Sequence, residues 1–325
     1  MPQRTSPNAE AWRKLYPFEP HWLDLPAGRM HYLDEGPAAP HPGDQETLLF
    51  IHGNPTWSFH WRRLIGALCP TYRCIAVDHL GCGLSEKPSR FFTLDDHIGN
   101  LCQLVEELKL DRATLVAQDW GGAIGLGAML RHKERLRRIV LFNTGAFPPR
   151  YIPWRIRACR WPIIGRLAVQ GGNAFSLAAL RMTLALKPNL PSAVAAGYLA
   201  PYDTWQHRQA VYGFVRDIPS PTKASAATVA SSGNSTLARL AAIEQALPQL
   251  ADRPICLVWG MRDWCFRPDC LDRFLQAWPN AEAHRLTDVG HWVVEDAPEA
   301  AQLIVSSFLQ RTSPNANGAP PSQGR

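Results

Sequence analysis

The chain has 325 residues, of which 46% are hydrophobic, and a formal net charge of +6. This length holds one large α/β domain or two ordinary ones, and no apolar run approaches the ~18 residues that a membrane span needs. The eight cysteines show no C-x-x-C spacing, so we expect neither a zinc site nor a disulfide framework. Residues 1–18 contain no apolar signal-peptide core, and the expected location is therefore the cytoplasm.

Both ends of the chain are polar and rich in Pro, Ser and Asn, which predicts a loose N-terminal segment over 1–15 and a disordered tail over 311–325. The first strand is predicted in RMHYLDEG (29–36), where apolar and polar residues alternate as in an antiparallel strand. TLLFIHG (47–53) and YRCIAVDHLG (72–81) are short apolar runs that end in turn residues. Such runs are typical of buried parallel strands.

A helix is predicted next, with Thr93 as its N-cap, because apolar residues from Ile98 to Leu108 share one helical face. A strand in ATLVAQD, a small-residue helix from Gly121 and a strand in LRRIVLFN follow. The strand pattern resumes much later in PICLVWG and AEAHRLTD. Asp296-Ala297-Pro298-Glu299 resembles a capping box and predicts the start of the last helix.

The interruption between these strands, residues 147–235, predicts a helical cap. It contains Pro-punctuated, arginine- and aromatic-rich helices and no strand series, and residues 219–236 predict a loop or hinge. An insertion at the carboxyl ends of parallel strands lies over the site that they form. The predicted fold is therefore a mostly parallel central sheet flanked by helices, with a core over 16–146 and 236–310.

One segment of this cap concentrates the positive charge. Residues 150–166, RYIPWRIRACRWPIIGR, hold five arginines and no acidic residue. We interpret the segment as a solvated basic helical face, and peripheral contact with a membrane surface, an acidic partner or a second copy in an oligomer is the alternative. No recognised nucleic-acid-binding module accompanies the charge, so nucleic-acid binding is not expected.

The candidate catalytic residues lie in loops that follow predicted strands. These loops are FIHGNPTWSFHW, AQDWGG, WGMRDWCF and DVGHWVVED. Loops after the carboxyl ends of parallel strands converge at one edge of the sheet, so their side chains can meet. The chain order Asp119, Asp263, His291 is the nucleophile–acid–histidine order of α/β-hydrolases. The sequence therefore predicts that fold and this triad.

Each role follows from the chemistry of the side chain. An ionised aspartate is nucleophilic at neutral pH without a base, so Asp119 is expected to attack an sp³ carbon that bears a leaving group. His291 would then activate water against the resulting alkyl ester, and Asp263 would orient the imidazole. Backbone N–H groups of Asn54 and Trp120 are expected to form the oxyanion hole.

The residue after the nucleophile indicates the leaving group. A departing halide needs hydrogen-bond donors but no proton; the indole of Trp120 can only donate, and the Asn54 amide supplies a second donor. We therefore predict a halide site formed by Asn54 and Trp120, and we interpret Trp57 as a packing residue. An epoxide oxygen would instead need a general acid. The predicted cap offers four tyrosines for that role: Tyr151, Tyr198, Tyr202 and Tyr212.

The motifs HGNPTWS, DWGG, GMRD and GHWVVED resemble the haloalkane dehalogenase family of α/β-hydrolases, and the similarity covers about residues 17–310. That family takes its acid after either of two strands. The alternative position here lies in LFNTGAFPP and offers Asn143 without a carboxylate, so the resemblance assigns the acid to Asp263. With Asn54 and Trp120 as halide contacts, the combination resembles the third dehalogenase subfamily.

That subfamily also includes enzymes that decarboxylate β-lactones in long-chain olefin biosynthesis, and NTGAFPP and GYLAPYDTWQHRQAVYGFVRDIP resemble those enzymes too. The resemblance implies a dehalogenase that forms alcohol and halide, with β-lactone decarboxylase as the alternative, since both activities would use the same triad. An epoxide hydrolase is a weaker rival, because those enzymes usually carry an apolar residue where Asn54 stands. A non-catalytic ligand-binding protein of this fold would not need a triad. The expected partners are a small hydrophobic substrate, water and halide, without a metal or organic cofactor.

Overall fold

The computed structural model describes residues 11–37, 46–187, 189–221 and 235–313. Within these ranges eight strands form one sheet in the order β1-β2-β4-β3-β5-β6-β7-β8. The strands are β1 (Pro20–Leu25), β2 (Gly28–Glu35), β3 (Thr47–Ile51), β4 (Arg73–Val77), β5 (Ala113–Asp119), β6 (Leu136–Thr144), β7 (Ile255–Gly260) and β8 (Glu282–Leu286). Strand β2 runs antiparallel to β1 and β4, and every other pair is parallel. The sheet is thus mostly parallel, as predicted.

Helices cover both faces of the sheet. They are α1 (Arg62–Leu68), α2 (Leu94–Glu107), α3 (Trp120–Met129), α9 (Ser235–Ala246), α10 (Pro268–Ala277), α11 (Val293–Asp296) and α12 (Pro298–Arg311), with α4 to α8 in the cap. One apolar layer packs α2, α3, α9 and α10 against the sheet, and the other packs α1 and α12 against its opposite face. All five residues of β3 are buried. A central strand covered on both sides must be apolar throughout, which explains the continuous apolar runs.

The cap lies between β6 and β7, which are neighbours in the sheet. Its helices are α4 (Trp154–Cys159), α5 (Ile164–Arg166), α6 (Ala174–Met182), α7 (Ser192–Leu199) and α8 (Gln209–Asp217). The described part of this insertion contains no strand. This arrangement confirms a helical cap inserted between strands, whereas most of the predicted hinge over 219–236 falls outside the described residues. No helix in the described ranges is both long and apolar enough to cross a membrane.

The first residues of α2 and α12 test two capping predictions made from the sequence. Thr93 is the N-cap of α2, and it forms a reciprocal capping box with Asp96. The similar signal before α12 is misleading, because the N-cap of α12 is Ala297 and no side chain caps it. The Asp296 carboxylate instead accepts the backbone N–H of Gly290 and those of residues 185–187 in the cap. These distant donors occupy it, so the capping-box prediction is wrong.

The ends of the chain are more ordered than their composition predicts. Residues Ala11–Leu15 form a 3₁₀-helix, and Trp12 is buried with its ring 5.5 Å from that of Trp57. The predicted loose segment is therefore wrong for residues 11–15, while 1–10 lie outside the described ranges. At the other end α12 extends to Arg311, which forms an ion pair with Glu282. The predicted tail is wrong for that residue, and 314–325 are not described.

Candidate active site

Asp119 lies on a strained turn between β5 and α3. Its backbone has φ 53° and ψ −131°, a conformation that costs a non-glycine residue about 1–3 kcal/mol. Two glycines let α3 pack close enough to hold it: a Cβ on Gly121 would clash with the Ile51 carbonyl, and one on Gly122 with the Thr144 side chain. The Thr144 hydroxyl donates to the Asp119 carbonyl. The turn presents the carboxylate at the carboxyl edge of the sheet.

The loop after β3 brings a donor to this carboxylate. His52 donates from Nδ1 to the Gly53 carbonyl, and its Nε2 accepts the His79 backbone N–H, which fixes the loop and the tautomer of the ring. The Asn54 backbone N–H donates to Asp119 Oδ1 at 2.7 Å. A Cβ on Gly53 would clash with the Asp119 carboxylate, so this close approach requires glycine. The Asn54 N–H is thus directed at the Asp119 carboxylate, whereas no bond from the Trp120 N–H to the carboxylate is seen among the described residues.

The other two triad candidates meet Asp119 from the far strands. His291 Nδ1 donates to Asp263 Oδ2 at 2.7 Å, and His291 Nε2 lies 3.6 Å from Asp119 Oδ2. The second oxygen of Asp263 accepts the Cys265 backbone N–H at 2.6 Å. The His291 and Asp263 side chains are 6% and 0% exposed. The sequence-predicted triad is therefore assembled in one place, with the histidine between two carboxylates.

This position determines the charge of His291. Burial alone would lower its pKa, but the charge of Asp263, the hydrogen bonds with Asp119 and Asp263, and the charge of Asp119 raise the pKa to about 10. The imidazole is consequently cationic at neutral pH while both carboxylates are ionised. Esterification of Asp119 would remove one of these charges and lower the pKa. His291 could therefore act as a base only once Asp119 had been esterified.

The alternative acid position is occupied by a structural amide. Asn143 Nδ2 donates to the Gly260 carbonyl at 2.9 Å, and the Gly260 N–H donates to Asn143 Oδ1 at 2.7 Å. The side chain thus pairs with the backbone of β7 as a neighbouring strand would. Asn143 is fully buried, and both ends of its amide are used at the turn that leads to Asp263.

The two predicted halide donors border the same cavity as Asp119. The Trp120 ring packs 5.4 Å from that of Phe214, and its Nε1 donates to no acceptor in the described part of the chain. By contrast, the fully buried Trp57 donates to the Gly197 carbonyl, as a packing residue does. Asn54 Nδ2 donates one hydrogen to the Val211 carbonyl of α8, and its other hydrogen can be donated to a ligand.

Of the four tyrosines considered as acids, three are engaged elsewhere. Tyr198 donates to Glu295, Tyr202 to the Thr56 carbonyl and Tyr212 to the Pro162 carbonyl. Tyr151 alone lines a cavity that Asp119 also lines, among the pockets of the described residues. Epoxide opening, which needs a proton donor beside the nucleophile, would therefore depend on that one side chain.

Two apolar cavities of about 130 and 290 Å³ converge on Asp119. The first extends along residues of α8 and of the chain that enters the cap: Phe147, Ile152, Val215 and Ile218. The second extends along α6 and is lined by Ala174, Ala178, Ala179 and Met182. Both cavities are bordered by Asn54, Asp119, Ile156, Phe175 and Cys265. A bound molecule can thus place one apolar arm on each side of the carboxylate.

Sequence reasoning missed a buried polar chain behind the triad. Gln118 donates from Nε2 to the His291 carbonyl, and its Oε1 contacts His60 Nε2. His60 Nδ1 lies 2.7 Å from the Tyr198 hydroxyl, which donates to Glu295, the buried partner of Arg62. The only local signal was Gln118 itself, a polar residue at the end of an apolar strand.

The chain is similar to known proteins over most of its length. The family described as alpha/beta hydrolase fold matches residues 46–298. A cis-3-alkyl-4-alkyloxetan-2-one decarboxylase of Xanthomonas campestris is 39% identical over 91% of this chain and 97% of its own length. Haloalkane dehalogenase 2 of Mycobacterium tuberculosis is 33% identical over 91% of this chain and 96% of its own. The crystal structure of haloalkane dehalogenase DbeA from Bradyrhizobium elkani matches with a TM-score of 0.79 and 26% identity, covering 91% of this chain and 98% of that one.

Proposed function

Because this chain belongs to the α/β-hydrolase family, within the group that contains haloalkane dehalogenases and cis-3-alkyl-4-alkyloxetan-2-one decarboxylases, we propose that it decarboxylates cis-3,4-dialkyl β-lactones at Asp119. The sequence analysis favoured haloalkane hydrolysis and kept β-lactone decarboxylation as the alternative, and the proposal reverses that ranking. The higher identity to the decarboxylase supports the reversal. The shape of the site supports it independently.

The observation that carries the proposal is the pair of apolar cavities that meet at Asp119. A 3,4-dialkyl β-lactone has two alkyl arms on adjacent ring carbons, and each cavity would hold one arm. A simple monohaloalkane has a single arm and would leave one cavity unfilled. Burial of apolar surface contributes roughly 25 cal/mol per Å², so the two-armed substrate gains more from this site.

The proposed chemistry uses the two Asp119 oxygens differently. Oδ1 is held by the Asn54 N–H, and Oδ2 would attack ring carbon C4. The C4–O bond breaks as the aspartyl ester forms, which leaves a carboxylate on C3 beside the His291 cation. The C2–C3 bond then breaks, its electron pair forms the C3–C4 double bond, and the ester oxygen leaves as the Asp119 carboxylate. Lactone becomes alkene and CO₂ without water, an oxidant or a net proton transfer.

This scheme also fixes the geometry of the product. Displacement at C4 inverts that carbon and places the aspartyl oxygen opposite the new carboxylate. Departure of CO₂ and aspartate from opposite faces then keeps the two alkyl groups on the same side. A cis lactone therefore gives a cis alkene.

The test offers a cis-3,4-dialkyl β-lactone and 1-bromohexane separately to the purified protein in heavy-oxygen water. We expect cis alkene and CO₂ from the lactone, with no heavy oxygen in the peptide that contains Asp119, and no product from the Asp119→Ala variant. Bromide release without alkene formation would overturn the proposal. Turnover of neither substrate would instead favour a ligand-binding protein of this fold.

Haloalkane hydrolysis is a second candidate, favoured by one specific observation. The indole N–H of Trp120, which donates to no acceptor among the described residues, and the remaining amide hydrogen of Asn54 are donors for a leaving anion that needs no proton. In this reaction the halide departs as the aspartyl ester forms, and water activated by His291 releases the alcohol. Repeated turnover in heavy-oxygen water would therefore label Asp119, which separates this route from decarboxylation.

A further inference from the structure

The cap exposes a face that is both apolar and basic. Nine of the fourteen exposed large hydrophobic side chains in the described residues lie between positions 151 and 205. Five of them fall within fourteen residues and are more than half exposed: Trp154 (69%), Trp161 (59%), Ile163 (74%), Ile164 (65%) and Leu167 (57%). Together with Arg155, Arg157 and Arg166 we call them the arginine–tryptophan face. A solvated basic helix would explain the arginines but not five apolar side chains in water.

These residues are held together as one surface. The Gly165 backbone N–H donates to the Trp161 carbonyl at 2.9 Å, and a Cβ on Gly165 would clash with the Cys159 carbonyl. Helices α4 and α5 are therefore packed closely across the turn that carries Ile163. The five exposed apolar side chains therefore lie on these two helices, on the turn between them and at the residue after α5.

In the described part of the chain, no acidic side chain neutralises the charge of this face, although Arg155 lies over the rings of Trp154 and Trp264 and Arg166 over that of Trp205. No acidic residue occurs between Glu134 and Asp203. Within the described chain, none of Arg155, Arg157 and Arg166 forms an ion pair, and all three are exposed. Arginines next to exposed tryptophans are the composition of a surface that meets anionic headgroups and the upper acyl chains of a bilayer.

The face adjoins the cavities of the candidate active site. Helix α4 is two-sided: Ile156 is 7% exposed and lines both cavities, whereas Trp154 faces solvent. Arg150 and Tyr151 at the start of the same segment line the first cavity. A surface that lay against this face would thus adjoin the cavities that end at Asp119.

We propose that the arginine–tryptophan face docks on the surface of an anionic phospholipid bilayer. Trp154, Trp161 and the isoleucine pair insert at the boundary of headgroups and acyl chains, and the arginines bind lipid phosphates. An apolar substrate dissolved in that bilayer then reaches the cavities without crossing water. This last step rests on the proposed function, whereas the docking itself does not.

A second copy of the chain fits this face less well. Most soluble homodimers place the same patch of each subunit against the other. That arrangement would oppose two sets of unpaired arginines with no acidic residue between them, and like charges at close range repel. Lipid phosphates supply the missing negative charge.

The experiment is flotation of the full-length protein with vesicles, without substrate. We expect binding to phosphatidylcholine mixed with phosphatidylglycerol, weak binding to pure phosphatidylcholine, and loss of binding as salt is raised. The double variant Ile163→Ser/Ile164→Ser should bind at least about tenfold more weakly, because it removes two apolar side chains that the bilayer would bury. Arg157→Gln/Arg166→Gln should abolish the preference for the anionic lipid. The matched control is Leu303→Ser, an equally exposed apolar residue on α12, which should bind like the wild type.

Circular dichroism and the thermal midpoint of each variant verify folding, and size-exclusion chromatography in parallel reports oligomeric state. Absence of wild-type flotation, or unchanged binding by the isoleucine variant, would overturn the proposal. A dimer that the isoleucine variant dissociates would reassign the face to contact between copies. Because no substrate is present, failure of the proposed reaction would leave the binding result intact.

Discussion

The charge of His291 can be tested by removing the charge of its neighbour. Asp119→Asn keeps the shape of the side chain and imitates the neutral ester that both proposed reactions would form. We expect the pKa of His291 to fall in this variant, because the burial of the ring would then be opposed mainly by Asp263. The variant therefore reports whether esterification converts a cation into a base.

The expected size of the change follows from the distance. Two unit charges 3.6 Å apart interact by roughly 4–5 kcal/mol at the effective dielectric constant of about 20 that suits protein sites. Each factor of ten in a protonation equilibrium corresponds to about 1.4 kcal/mol. The Asp119 side chain is 14% exposed, so water screens the pair only in part. We expect a fall of roughly two to three pH units from the wild-type value of about 10.

The assay is an imidazole-detected NMR titration of histidine-labelled protein, with the His291 signal assigned through His291→Gln. The same pKa predicts a stability effect: a histidine whose folded pKa is raised stabilises fully below its unfolded pKa of about 6.5 and loses this contribution as pH rises toward 10. The free energy of unfolding, measured with urea, should therefore fall less between about pH 7 and pH 9 in Asp119→Asn than in the wild type. A His291 pKa that is the same in both proteins would refute the reasoning.

Three further predictions test the two steps of the second candidate activity, haloalkane hydrolysis. With 1-bromohexane, His291→Gln should accumulate an alkyl ester on Asp119, visible by intact mass, and a folded variant that gains no adduct would contradict the two-step scheme. Asp263→Asn should slow hydrolysis of that ester strongly in single-turnover measurements, and an unchanged rate would place the acid elsewhere. Trp120→Phe should lower bromide release by about a hundredfold or more, a loss of roughly 2.7–4 kcal/mol. Trp22→Phe on the edge strand β1 is the matched control and should release bromide at the wild-type rate. Full bromide release by Trp120→Phe would contradict the halide-site interpretation.

The strands and the triad were predictable because their signals are local or topological. A buried parallel strand must be apolar along its whole length, and the loops after such strands must meet at one edge. Strand β1 was missed because it lies at the sheet edge, where only Leu25 of its six residues is buried. With so little of the strand in the core, its apolar pattern is weak.

The residues that support the site were less predictable because their partners are far away in the chain. His60 and Gln118 are 58 positions apart, and Tyr198 and Glu295 are 97 apart. Nothing in the neighbourhood of either residue indicates such a contact. The burial of Trp12 was likewise not predicted, because the residue lies in a polar, Pro- and Ser-rich segment, although its ring packs into the core. Long-range packing decides these cases, and one sequence does not encode it visibly.

The Asp296 carboxylate has a consequence for protein engineering. It accepts the Gly290 N–H at 2.7 Å and the N–H groups of Ala185 and Lys187 at 2.9 and 2.7 Å. One carboxylate therefore binds both the cap and Gly290, the residue before His291. The cap is therefore not an interchangeable module. A chimera that imports a foreign cap across residues 185–187 would disturb the backbone next to His291 even if Asp119, Asp263 and His291 were all kept. The exchanged part of the cap should instead end before residue 183. Residues 185–187 would then stay with the core residue Asp296, to which their N–H groups are hydrogen-bonded.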